Sequence, residues 1–365
     1  MASTKPLRCA DQALVGLAGN HQVIESVQEW AYANCVPLNA GLELTLKCNI
    51  RCLHCYNFDR DVPREPGAPE LSPEEILRVM TELREAGCLF LHMTGGEVFV
   101  HPRLFEFLDH ARRLHLSIQL LSNGTLVRPE IARRLAGYEN LLGTSLSLYG
   151  ATPAVHDSIT QVAGSFERTW EGALRLRENG IAVRVKYVVM KQNVHEVDGM
   201  LALARERGFP YLIDMTITGR HDKTQGSLAT RIDPLEVESL FRGPLREHRP
   251  KGAHEVTEED FPCNCARGNC AVSSTGEVYP CISVPWSAGN VREKPFAEIW
   301  RDSPVFRRIR ELRLADYPHC APCDLKRWCS RQRGAAYLAS GEYTGIDPWI
   351  CEAAEATRKA SAPAP

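Results

Sequence analysis

The sequence predicts an α/β protein: six βα units in a row, followed by a small cysteine-rich module of different make-up. Three observations carry this. Strand-like apolar runs alternate with amphipathic stretches between residues 41 and 218, the alternation stops near residue 219, and eight of the 14 cysteines fall between Cys263 and Cys351. Strands that alternate with helices imply parallel pairing. Six units are too few for a standard eightfold barrel, which leaves a partial barrel or an open doubly wound sheet.

The strand candidates are 41–46, 88–93, 116–122, 143–148, 182–189 and 211–218. The clearest helix starts after Ser72, with Pro73 at its first position and Glu75 completing a capping box, and stops at Gly87. Other helices fit 103–115, 129–136, 165–179 and 195–207. The polar, turn-rich stretch from 219 reads as a linker, and helical periodicity is weak beyond it except around 295–313. The chain is thus divided into an N-terminal extension (1–40), a core (41–218), a linker (219–262), a cysteine-rich module (263–352) and a disordered tail (353–365).

Composition excludes several classes of function. Lys+Arg is 43 and Asp+Glu is 45, so the net charge of -2 gives no basic footprint for nucleic acid or anionic lipid. No apolar run approaches the roughly 18 residues of a membrane span. The first residues lack an apolar secretory segment, so a cytoplasmic protein is expected. In a reducing compartment, clustered cysteines point to metal rather than disulfides.

Cys48, Cys52 and Cys55 form a C-x3-C-x2-C cluster just after the first strand. That is the mouth where βα folds keep their chemistry. Three thiolates can hold zinc with an open position, or a four-iron cluster with one uncapped iron.

This motif resembles that of the radical S-adenosylmethionine (SAM) superfamily, and later segments follow in the family's order. TGGEVF carries Gly95, Gly96 and Glu97 after the second strand, LLSNGT carries Ser122 and Asn123 after the third, and SLSLYGATPAVHD follows on the fourth. The resemblance implies a partial (β/α)6 TIM-like barrel. It further implies a [4Fe-4S] cluster on Cys48, Cys52 and Cys55, and SAM as the source of a 5'-deoxyadenosyl radical. Gly95, Gly96 and Glu97 would meet the SAM amino group. Ser122 and Asn123 would lie near its ribose. The main chain of His54 would meet the adenine. Tyr149 stands where the family commonly has Asp.

Cys320, Cys323, Cys329 and Cys351 read C-x2-C-x5-C and a distant fourth, and Gly276 precedes Cys281 as G-x4-C. These resemble the SPASM extension of radical SAM peptide maturases, a small domain that holds up to two auxiliary [4Fe-4S] clusters. The resemblance assigns Cys320, Cys323, Cys329 and Cys351 to one. In the fuller pattern a further cysteine serves the other cluster; here that position is Arg333. Cys263, Cys265, Cys270 and Cys281 would compensate, with Cys263 or Cys265 as a possible bystander. A zinc ribbon is the alternative. Cys9, Cys35 and Cys88 read as ordinary buried thiols.

Strand parity offers further candidates. Ser147 and Lys186 are expected to help hold SAM, and Asp214 and Tyr149 to approach substrate as catalytic residues. Sulfatase-maturing relatives carry Asp after the cysteine equivalent to Cys281; here it is Ile282, which argues against that oxidation. The expected reaction is modification of a ribosomally made peptide, with flavodoxin or ferredoxin as electron donor and a separate recognition protein as a possible partner. Tetrapyrrole side-chain decarboxylation is the alternative enzyme. A non-catalytic metal or electron-transfer protein is the alternative of another class.

Overall fold

A computed structural model describes residues 21–60, 67–249, 257–261 and 263–362. Six parallel strands form in chain order: β1 (Asn39–Glu43), β2 (Phe90–Thr94), β3 (Ser117–Ser122), β4 (Leu141–Leu148), β5 (Val183–Val188) and β6 (Tyr211–Asp214). Each pairs with the next. The order never reverses, as a doubly wound sheet requires at its switch point. The sheet also stays open, with β6 as one edge. The architecture is a partial barrel.

Local chemistry sets the elements. Helix Pro73–Glu85 begins at the expected capping box: the Glu75 amide donates to Ser72 Oγ at 3.2 Å, and the Ser72 amide donates to Glu75 Oε2 at 2.7 Å. Its Ile76, Val79, Met80 and Leu83 stripe is buried against the sheet's outer face. Helices Leu104–Arg113, Pro129–Leu135, Ser165–Glu178 and Val197–Glu206 occupy the other expected crossovers. Strand β6 stops four residues short of the expected end, because the Asp214 side chain accepts the Thr216 amide at 2.9 Å and turns the chain.

Alternation along the strands separates two environments. Leu42, Leu91, Met93, Ile118, Leu120, Leu146, Leu148, Val185 and Tyr187 face the helices and are fully buried. The concave face is polar. Glu43, His92, Gln119, Ser145, Arg184, Lys186 and Asp214 lie on it, and the Gln119 amide donates to Ser145 Oγ at 2.8 Å.

Three structural features join the expected parts of the chain. The cysteine-rich region is not detached, because β7 (Asn269–Val272) pairs in parallel with β1 and carries the antiparallel β8 (Val278–Tyr279). The expected linker holds helix Pro234–Arg242, which packs against the final helix, Pro348–Ser361. That final helix overlaps the expected disordered tail. Asp347 caps its N-terminus, and Ile350, Ala354, Ala356, Thr357 and Ala360 are buried. Cys9 and residues 363–365 lie outside the described residues.

Candidate active site and metal centres

The Cys48–Cys55 loop leaves the C-terminal end of β1 and is fastened from three sides. The Arg51 and Leu53 amides donate to the carbonyls of Thr160 and Ile159, at 2.9 and 3.1 Å. Those carbonyls end helix Pro153–Thr160, which sequence periodicity missed inside the SLSLYGATPAVHD stretch. Arg220, 5% exposed, spans from the other side: its guanidinium donates to the carbonyls of Leu53 and Cys55, both at 3.2 Å. Asn123 Nδ2 reaches Cys48 Sγ at 3.8 Å from β3. A lone arginine in a turn-rich stretch carries no sequence signal, so Arg220 escaped the sequence reading.

The two glycines of the TGGE turn are required by the protein's own backbone. Gly95 has φ +139°, and a side chain at Gly95 or Gly96 would collide with the carbonyl of Thr45 or Lys47. The Gly96 amide donates to Thr45 O at 2.6 Å and the Glu97 amide to Lys47 O at 2.9 Å. The missing side chains at these glycines admit the chain that leads into the cysteine loop. Glu97 is 1% exposed and turned inward. Its carboxylate accepts from the Ser122 hydroxyl and the Asn123 amide, each at 2.7 Å, and from the Phe99 amide at 3.1 Å. Burial raises its pKa, while these donors act in the opposite direction. One network thus joins Glu97, Ser122, Asn123 and Cys48.

The remaining expected residues meet on the β4–β6 side. Lys186 Nζ lies 3.5 Å from Asp214 Oδ2, so the two form one ion pair. Lys186 also neighbours His54, whose pKa falls to about 4, chiefly through burial and secondarily through that ammonium. The His54 ring stands edge-on to Tyr149 at 4.6 Å. Tyr149 is buried, with its hydroxyl between Ser147 and Cys52. The structure sets it against the cysteine loop.

A second group on the concave side went unread. Glu43, 2% exposed, accepts from Tyr56 Oη at 2.9 Å, and burial lifts its pKa to about 7. The Tyr56 ring meets His221 edge-on at 5.0 Å, and His221 hydrogen-bonds the backbone of Ile282. These contacts link the residue after Cys55 to the residue after Cys281. Glu43 was hidden because an acidic residue in a strand-like run reads as solvated.

The C-terminal cysteines fall into two sets. Cys351 sits close to Cys320, Cys323 and Cys329, and burial with these neighbours lifts its thiol to about 11. The Leu325 and Arg331 amides point at Cys323 Sγ and Cys329 Sγ, both at 3.4 Å. In the second set Cys265 touches both Cys263 and Cys281. Cys270 is not among them. Alternation along β7 turns it to the outer face, against Cys88 and 3.9 Å from Asn39 O. The expected foursome is therefore three thiols, and the odd one out is Cys270 rather than Cys263 or Cys265.

The donor sets suit iron–sulfur clusters. Cys48, Cys52 and Cys55 share one loop, and burial and the neighbouring thiols push the Cys52 thiol up; a bound metal reverses that cost by taking the thiolate. Among the described residues, no three Cys, His, Asp or Glu side chains meet at the spacing a single metal ion needs. Also among them, no helix is long and apolar enough to cross a membrane.

Comparison with known proteins agrees with this arrangement. Residues 42–217 match the radical SAM superfamily, and residues 263–324 match the SPASM iron-sulfur cluster-binding domain. The AdoMet-dependent heme synthase of Methanosarcina barkeri is 30% identical over 341 residues, covering 84% of this chain and 94% of that protein. Mycofactocin maturase MftC of Mycobacterium ulcerans is 29% identical over 336 residues, 88% of each. The crystal structure of Streptococcus suis SuiB bound to S-adenosylmethionine superposes with a TM-score of 0.64 at 16% identity, covering 93% of this chain and 83% of that one. With a relative this similar along nearly its whole length, the chain belongs to the radical SAM superfamily, as an enzyme of S-adenosylmethionine and iron–sulfur clusters that carries a SPASM domain.

Proposed function

We propose that the chain modifies a ribosomally made peptide in the cytoplasm. The observation that carries the site assignment is the network joining Cys48, Glu97, Ser122 and Asn123 at the ends of β1–β3. It gathers three separated motifs around one loop. The peptide reading is supported by the maturase likeness along 88% of the chain.

In this reading Cys48, Cys52 and Cys55 hold the first [4Fe-4S] cluster. Cys320, Cys323, Cys329 and Cys351 hold an auxiliary one, and Cys263, Cys265 and Cys281 hold another. SAM bound at the first cluster would supply a 5'-deoxyadenosyl radical, which abstracts hydrogen from the substrate. The chain's own residues position and enclose. Arg220 fixes the loop that carries all three thiolates. Glu97 braces the Gly95–Gly96 turn and orients Asn123. His54 stays neutral at physiological pH and leaves its main chain to the adenine. Lys186 and Asp214 present paired charges on the concave face, where a substrate's carboxylate or ammonium can exchange partners with them. Ser147 and Tyr149 exclude water beside Cys52. A flavodoxin or ferredoxin would donate electrons, and a separate recognition protein would present the peptide.

A second reading, decarboxylation of tetrapyrrole side chains, is favoured by the heme synthase likeness across 94% of that relative and by Arg184 and Lys186 on the concave face, which suit carboxylates. One experiment separates them. Anaerobically reconstituted protein with SAM and dithionite is offered candidate precursor peptides or a carboxylate-bearing iron porphyrin. A mass change in a peptide supports the first reading, loss of carbon dioxide from the porphyrin the second. If the Cys48/Cys52/Cys55→Ala variant makes as much 5'-deoxyadenosine as wild type, both fall.

A further inference from the structure

Where the SPASM pattern supplies a cysteine for the second auxiliary set, this chain has Arg333, and the structure shows what that arginine does. Arg333 is 6% exposed. Its Nη1 donates to Gly345 O at 3.2 Å and Tyr343 O at 3.5 Å, and its Nε to Arg331 O at 3.3 Å. The guanidinium also lies 5.0 Å from the Tyr317 ring centre. It therefore fastens the 343–345 loop. That loop presents Tyr343, 4% exposed, with its Oη 3.0 Å from Cys263 Sγ. Helix Arg333–Ser340 is pressed onto the turn after Cys281, since a side chain at Gly334 would strike the carbonyl of Ser283.

Three thiols and one phenol are thus gathered, all but the half-buried Cys281 fully enclosed: Cys263, Cys265, Cys281 and Tyr343. We propose that Tyr343 is the fourth ligand of this auxiliary cluster, bound through its phenol oxygen, and that Arg333 is the positioning residue that holds its loop. This rests on the reading that the three thiols carry a cluster. Iron accepts phenolate oxygen as well as thiolate sulfur. As the iron–oxygen bond forms, the phenol O–H bond breaks and its proton leaves to solvent, with no change of oxidation state. Phenolate and thiolate carry the same charge, and the Arg333 cation offsets part of it at short range.

The test uses the full chain in the Cys48/Cys52/Cys55→Ala background, reconstituted anaerobically, so that only auxiliary clusters remain. Cys263→Ala is expected to remove about four irons per chain; if it removes none, the underlying cluster reading fails, separately from the role of Tyr343. Protein grown on ring-deuterated tyrosine is expected to show isotope-shifted phenolate modes in its resonance Raman spectrum. Their absence overturns the ligand. Tyr343→Phe is expected to keep its iron and to open a position, so that added cyanide changes the cluster's electron paramagnetic resonance signal. Tyr343→Cys is expected to close it again. Wild type that already responds to cyanide, or a Phe variant identical to wild type in spectrum and response, overturns the proposal. If the Phe variant does not fold, the Raman measurement on the wild-type residue decides alone.

Discussion

The Glu97 carboxylate accepts the Asn123 amide at 2.7 Å and so joins the end of β2 to the end of β3. Both residues are buried, and the same carboxylate takes the Ser122 hydroxyl and the Phe99 amide. Glu97→Gln places an amide among three donors that all need an acceptor. A loss of about 1–3 kcal/mol in stability is expected, the cost of an unmatched buried polar group, together with weaker SAM binding because the Gly95–Gly96 turn loses its brace. Thermal unfolding and calorimetric SAM titration check both. A variant as stable as wild type would show that these hydrogen bonds are replaceable by water.

Glu43 gives a pH dependence whose sign is fixed by burial. Its folded pKa is raised from 4.5 to about 7, with Tyr56 and the backbone near Ser274 lowering it and Glu70 raising it, none enough to cancel burial. The unfolded chain releases this proton first as pH rises. The stability contribution is therefore present below about pH 4.5 and is lost as pH climbs through about 7. Its size is about 3 kcal/mol, since each tenfold difference in proton affinity between the folded and unfolded chain is worth about 1.36 kcal/mol. Glu43→Gln is expected to flatten the stability profile between about pH 5 and about pH 8 and to be the more stable protein at the upper end. Denaturant unfolding of both proteins across that range measures it. Parallel curves would show that Glu43 ionises freely in the fold.

The parts legible in the sequence were those with a periodic or spaced signal. The Ser72–Glu75 capping box fixed a helix start to the residue, and the three N-terminal motifs lie where strand ends were expected. What stayed hidden depended on tertiary partners. The β7 strand is recognisable only from its pairing with β1, since four residues carry no period. Cys270 differs from Cys263 and Cys265 only in the face that β7 turns outward. The tail escaped because its small residues look unstructured, although burial of Ala354, Ala356 and Ala360 makes it a packed helix.

That facing of Cys270 leads to a count of irons. Cys270→Ala removes a thiol packed on Cys88, outside both auxiliary sets. It is expected to leave the iron content of reconstituted protein unchanged. Cys351→Ala is expected to lower it by about four, since that thiol completes the set with Cys320, Cys323 and Cys329. Iron and acid-labile sulfide per chain decide. An equal loss in the two variants would return Cys270 to the ligands.

The last helix is tied down by Arg231, whose Nη1 lies 3.0 Å from Asp347 Oδ1, with Nη2 meeting the other oxygen. Asp347 is 3% exposed, and its Oδ1 also caps the helix by accepting the Trp349 amide at 3.0 Å. Removing the carboxylate leaves the Arg231 guanidinium mostly buried without its partner, which typically costs about 3–5 kcal/mol. Cys351 rides one turn into that helix. Asp347→Ala is therefore expected to lower thermal stability and, at temperatures where the fold survives, to weaken iron retention at the Cys320, Cys323, Cys329 and Cys351 set alone. Arg231→Ala with Asp347→Ala should cost less than the two single changes added together, because neither charge is then stranded. A double variant that loses the full sum would show that the two side chains act independently, and that the stretch between core and cysteine-rich region does not hold the final helix through this pair.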